Sequence, residues 1–125
     1  MKKIAIIGSG GHCRAILAVL NSLDDNNEPN IIFDLSEPNK EEKIFGIPVL
    51  KILSDDMLIE RKNQFKYILA IGDNYLRERI FNKLNNIGCE IMNVISPSAT
   101  ISYNVKIGNG VVIFPNSFIG PGVKI

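Results

Sequence analysis

Cysteine is scarce in this chain, and histidine scarcer. Of 125 residues only Cys13 and Cys89 are cysteines, far apart and outside any CxxC pair. That excludes a cysteine-built metal site and a disulfide framework, and it points to a reduced, cytoplasmic setting. His12 is the only histidine. Charge is nearly balanced, with 14 Lys and Arg against 13 Asp and Glu. No basic stripe exists to grip a nucleic acid. No apolar run reaches bilayer-spanning length, and the run Ile4–Ile7 behind Lys2 and Lys3 is too short for a signal peptide. Among residues 95–125 there is no His, Asp or Glu at all, so this stretch offers no general base.

That same stretch carries a strict repeat. Ile95, Ile101, Ile107, Ile113, Ile119 and Ile125 stand six apart. The fifth place of each hexad is small or β-branched: Ala99, Val105, Val111, Ser117 and Val123. A period of six fits neither a helix nor an alternating strand. It predicts a parallel β-helix, in which each hexad forms one flat face and sends one side chain inward. Five hexads make less than two triangular turns, below the usual minimum of about three repeats for a solenoid.

Residues 1–94 alternate strand and helix signals, which predicts a small parallel sheet covered by helices. Lys3–Ile7 reads as a buried strand, and Ile16, Val19, Leu20 and Leu23 mark a helix after it. The polar stretch Asp24–Asn30 ends that helix. Asn30–Phe33 is a second strand, and Leu35–Lys43 a surface loop. Ile44–Leu50 is extended, with Gly46 and Pro48 as turn residues. Ser54 suits the N-cap of a helix over Asp55–Lys62. Tyr67–Ile71 is a third strand. Leu76, Ile80, Leu84 and Ile87 form the inner face of a helix that Gly88 stops. Glu90–Val94 is a fourth strand. The expected division is therefore an α/β domain over 1–94 and an incomplete β-helix over 95–125.

The strand, glycine-rich turn, helix order of Gly8-Ser9-Gly10-Gly11-His12 is a phosphate-cradling arrangement. Glycines let backbone N–H groups approach an anion, and the helix start adds partial positive charge. The third glycine of a dinucleotide fingerprint is replaced by Cys13, and 94 residues provide roughly one nucleotide-binding half. A mononucleotide or nucleoside diphosphate suits this size better than NAD, and a ligand-free tight turn is the plain alternative. Asp34 ends the second strand, where a carboxylate can accept from a ribose or base N–H. It reads equally well as a solvated loop aspartate. Ile71, Gly72, Asp73 and Asn74 leave the third strand at the same edge, with Asp73 suited to cap the next helix. His12 is placed to approach a phosphate or sugar. As a catalytic base it lacks a visible orienting partner, so no catalytic residue is assigned within the chain.

GSGGH after the first strand, Phe33-Asp34 after the second, Ala70-Ile71-Gly72-Asp73-Asn74 after the third and ISPSA opening the hexads together resemble the sialic acid O-acetyltransferase family. That family includes bacterial UDP-amino-sugar N-acetyltransferases. The resemblance implies a small Rossmann-like sheet that binds a UDP-amino sugar, then a left-handed β-helix that assembles into a homotrimer. It implies acetyl-CoA as co-substrate, no metal, and no membrane or nucleic-acid partner. It places Gly8, Ser9, Gly10, Gly11 and His12 at the diphosphate-sugar side, and Asp34 with Ile71, Gly72, Asp73 and Asn74 at the uridine. The family's histidine-bearing coils come after Ile125, so this polypeptide is expected to be a shortened form that holds the substrate and lacks acetyl transfer by itself. A catalytically inactive nucleotide-sugar-binding or regulatory module is the alternative.

Overall fold

β-Branched residues crowd the first strand, and burial there explains why. In the computed structural model, which describes residues 2–23, 27–35, 43–51 and 54–125, Ile4, Ala5, Ile6 and Ile7 are all buried. Successive side chains leave a strand on opposite faces. Ile4 and Ile6 accordingly join one core, and Ala5 and Ile7 the other.

The elements run β1 (Lys3–Ile7), α1 (Gly11–Asn21), β2 (Ile31–Asp34), β3 (Lys43–Ile44), β4 (Ile47–Lys51), α2 (Asp55–Arg61), β5 (Phe65–Leu69), α3 (Asn74–Ile87) and β6 (Glu90–Ile91). Four short strands follow: β7 (Val94–Ile95), β8 (Thr100–Ile101), β9 (Val112–Ile113) and β10 (Phe118–Ile119). The main sheet has the order β3-β4-β2-β1-β5-β6. All its pairs are parallel except the β3–β4 hairpin at one edge.

The two faces of the sheet are covered differently. Ala5, Ile7, Phe33, Tyr67 and Leu69 pack under Leu58 of α2 and Ile80 and Leu84 of α3. The other face meets Cys13, Ile16, Leu17, Val19 and Leu20 of α1, together with Val94 and the flanking Val112 and Phe114. The first β-helix coil thus lies beside α1, in the layer where a second helix would stand in an ordinary three-layer α/β domain.

The coil repeat is eighteen residues, or three hexads. Val94 pairs with Val112, Thr100 with Phe118, and Lys106 bridges Lys124, all in parallel. Ile113, paired with Ile95 across the coil ladder, is buried. Ile95, Ile107 and Ile119 are half-buried, and Ile101 and Ile125 are 39% and 45% exposed. An inward side chain needs a coil on each side of its own to be fully covered.

Four local expectations change. β5 stops at Leu69, and Ala70 and Ile71 continue buried outside the ladder. Pro48 lies within β4 opposite Lys43, and the turn is made instead by Phe45 and Gly46, both at positive φ. Lys43 belongs to β3 rather than to a loop. The stretch Glu90–Val94 is two strands: Met92 N–H still donates to Tyr67 O of the sheet, whereas Val94 N–H donates to Val111 O of the coil. Asn93 makes the switch, donating to Gly108 O and accepting from Val111 N–H. The expected loop positions 36–42 and helix-ending positions 24–26 lie outside the described residues.

Candidate functional site

Three turns leave the sheet side by side. Gly8 N–H donates to Phe33 O at 2.8 Å, and Ala70 N–H donates to Ile7 O at 2.8 Å. Each bond extends a ladder one step past its strand, so the segments after β1, β2 and β5 share one edge. It is the carboxyl edge of the strands, where open α/β sheets hold their ligands. All ten positions singled out from sequence meet there: Gly8 to His12, Asp34, and Ile71 to Asn74.

Gly8 is required by shape. Its φ is +112°, and a Cβ built on it would lie 2.3 Å from Ala70 O. Gly10 and Gly11 play a different part. A Cβ on either meets nothing within 4 Å, so their backbone faces open space. α1 starts at Gly11 with no side-chain cap and no acidic residue in its first turn. Its amides therefore present uncompensated partial positive charge to solvent. By contrast Ser54 caps α2 through Met57 N–H, and Asp73 caps α3 through Leu76 N–H at 2.8 Å. Asp73 is thereby committed to the helix, as its position after the strand predicted.

Ser9 Oγ donates a short hydrogen bond to Asp34 Oδ2, which ties the glycine-rich turn to the end of β2. A carboxylate accepts at both oxygens, so Asp34 retains acceptor capacity beyond this bond. Arg14 donates to Ser9 O at 3.3 Å and steadies the same turn. Ile71 is buried in the α2–α3 core, while Gly72, Asp73 and Asn74 are exposed.

His12 does not simply project into water. Its ring meets Phe114 of the β-helix edge-on, with centroids 5.6 Å apart at 80°. Partial burial, then the nearby Arg77 guanidinium, pushes its pKa below the ordinary 6.5. The imidazole is thus neutral at pH 7. Sequence reasoning missed Arg77 and Phe114. Arg77 follows Leu76 and precedes Ile80 by three, flanking the apolar stripe of α3, where a long cationic side chain lies along a core with its head at the rim.

A depression of about 280 Å³ opens at the same edge between α2 and α3, over Ile7, Leu35, Leu58, Leu76 and Ile80. Lys83 and Asp55 form an ion pair of 3.1 Å at its rim. A larger groove of about 570 Å³ includes Leu17, Leu20, Phe45 and Ile47. It lies at the opposite, amino edge of the strands and contains none of the candidate residues, so size alone does not mark the site. Among the described residues no three His, Cys, Asp or Glu side chains converge as a metal site would need, and no helix is long and apolar enough to cross a membrane.

Comparison with known proteins points the same way. The PglD N-terminal domain matches residues 3–84. UDP-N-acetylbacillosamine N-acetyltransferase of Bacillus subtilis (strain 168) is 27% identical over 119 residues, covering 90% of this chain and 51% of the relative. PerB from Caulobacter crescentus, solved with CoA and GDP-perosamine, superposes on all of this chain with a TM-score of 0.81 at 29% identity, over 57% of its own length. The acetyltransferase domain of PglB from Neisseria gonorrhoeae gives 0.79 at 26% identity, covering 99% of this chain and 58% of that domain. The chain therefore spans little more than half the length of these relatives.

Proposed function

The chain belongs to the family of PglD N-terminal domains, and on that premise we propose that it holds the acceptor of an acetyl-CoA-dependent N-acetyltransferase acting on a UDP-linked amino sugar in surface-glycan biosynthesis. The observation that carries this reading is the convergence of the uncapped α1 start, the Ser9–Asp34 pair and the Ile71–Asn74 turn on one strand edge. The similarity to enzymes that handle a UDP- or GDP-sugar supports it.

Each part has a chemical role in this reading. Gly10 and Gly11 N–H groups and the α1 start receive the diphosphate. Neutral His12 contributes a hydrogen bond at the phosphate–sugar side. Asp34, held by Ser9, accepts from the nucleoside, and the Ile71–Asn74 turn walls that side. The sugar then points toward the β-helix, whose first coil begins at Val94. In acetyl transfer a neutral amine attacks the thioester carbonyl of acetyl-CoA, a base removes the amine proton, and the thiolate of CoA leaves. With no His, Asp or Glu in 95–125, these residues account for acceptor binding and positioning. The base belongs to β-helix coils beyond them, and a homotrimer in the cytoplasm completes the proposal, with 1–94 as the binding domain and 95–125 as the start of the β-helix.

Titration calorimetry with UDP, a UDP-4-amino sugar, a GDP-sugar and NAD tests it. The UDP-sugar is expected to bind, and Asp34→Ala to weaken it at least tenfold in a chain that circular dichroism shows to be folded. Binding of NAD in preference to every nucleotide sugar would overturn the reading.

A further inference from the structure

Arg77 is half-buried and makes two hydrogen bonds, both to backbone carbonyls of different layers. Nη1 donates to Leu69 O at 2.8 Å, at the end of β5, two residues before the Ile71–Asn74 turn. Nη2 donates to Gly110 O at 2.5 Å, at a corner of the first β-helix coil. That corner is pressed into the α/β domain. Gly110 has φ +71°, and a Cβ there would stand 3.2 Å from Ile91 Cγ2 and 3.3 Å from Phe81 Cε2. Asn93 grips the same corner from the chain itself, through Gly108 O and Val111 N–H. Among the described residues no carboxylate forms an ion pair with Arg77.

We propose that Arg77 is a positioning residue that locks the first β-helix coil onto the carboxyl edge of the sheet and so sets how His12 and the glycine-rich turn face the coil. A guanidinium suits this task because its planar fork donates in two directions at once, which an ammonium on a single stem does not reproduce. The coil returns the contact through Phe114, on which the His12 ring rests. The charge acting on His12 is that of Arg77 on α3, while the coil brings the uncharged Phe114. The role in acetyl transfer rests on the function proposed above, because the angle between sheet and β-helix decides whether a held amine meets the thioester. Misplacement of about 1 Å costs on the order of 100-fold in such reactions. The lock itself does not depend on that function.

His12 is the only histidine, so one imidazole resonance reports on it without ambiguity. In Arg77→Met, amide exchange at Val94 and Val111 is expected to accelerate at least tenfold, and the His12 midpoint to rise toward its ordinary value. Arg77→Lys, which keeps the charge and loses the fork, is expected to keep the part of the His12 shift that comes from the charge and to restore little of the amide protection. It also serves as the folded variant should Arg77→Met fail to fold. Native exchange rates at Val94 and Val111 in both variants would overturn the proposal. So would a His12 titration in Arg77→Met identical to that of the native chain. Neither measurement involves a nucleotide. Failure of UDP-sugar binding would therefore remove the proposed function and leave the lock in place, and unchanged exchange would do the reverse.

Discussion

Two glycines in one turn obey different constraints. Gly8 must pass under Ala70 O at positive φ, so Gly8→Ala forces either the turn or β5 to move. Overpacking and a disallowed backbone angle together cost about 2–4 kcal/mol. Urea unfolding of the variant should show a loss of that order. Gly10 has φ −84° and open space around its Cα. Gly10→Ala should be close to neutral, because the restriction of the unfolded chain is offset by alanine's poorer fit at an N-cap. His12 gives a pH signature. Its pKa is lowered in the fold, so between that value and about 6.5 the unfolded chain binds more protons. Its contribution to stability is complete above about pH 6.5 and is lost as pH falls through the window to the folded value. His12→Gln should flatten that slope relative to the native chain when urea midpoints are compared at pH 7 and pH 5.

At the scale of elements, caps were legible and ladders were not. Ser54, Asp73 and Gly88 occupy the capping positions their residue types predicted, with Gly88 left-handed at φ +90°. Capping is decided within four residues, so sequence suffices. The break between β6 and β7 was hidden because Met92 and Val94 look alike as apolar strand residues. Only their partners, Tyr67 and Val111, distinguish them. A second signal in the hexads was available and unread. Asn104, Gly110, Asn116 and Gly122 stand six apart, and all have positive φ. These are the coil corners, filled by the residue types that tolerate a left-handed backbone. Asn116→Val should therefore cost about 1–2 kcal/mol by thermal unfolding, with Asn116→Gly close to neutral.

In the whole molecule the β-helix start serves as a layer of the α/β core as well as a platform. Val94 is fully buried under the sheet beside α1. Sheet and coil should consequently unfold together, with far-ultraviolet dichroism and tyrosine fluorescence giving coincident transitions. Two separated transitions would count against it. On the coil, Tyr103, Phe118, Val123 and Ile125 are 85%, 67%, 40% and 45% exposed. So much apolar surface on a small solenoid favours self-association. Light scattering is expected to show about three times 13.9 kDa, and a monodisperse single-chain mass would refute the trimer.

Local and periodic information lay in the sequence: the alternating strands and helices, the six-residue repeat, the caps, and the glycine-rich turn with Asp34 and Ile71–Asn74 at strand ends. Each follows from steric and hydrophobic rules that act over a few residues. The tertiary structure decided the rest, namely which strands are neighbours, that the coil lies beside α1, and that Arg77 and Phe114 close on His12. Those facts depend on contacts between residues well separated along the chain, such as Arg77 with Gly110. Such pairings leave no periodic trace for a reader of sequence to find, because their energy exists only once the layers have met.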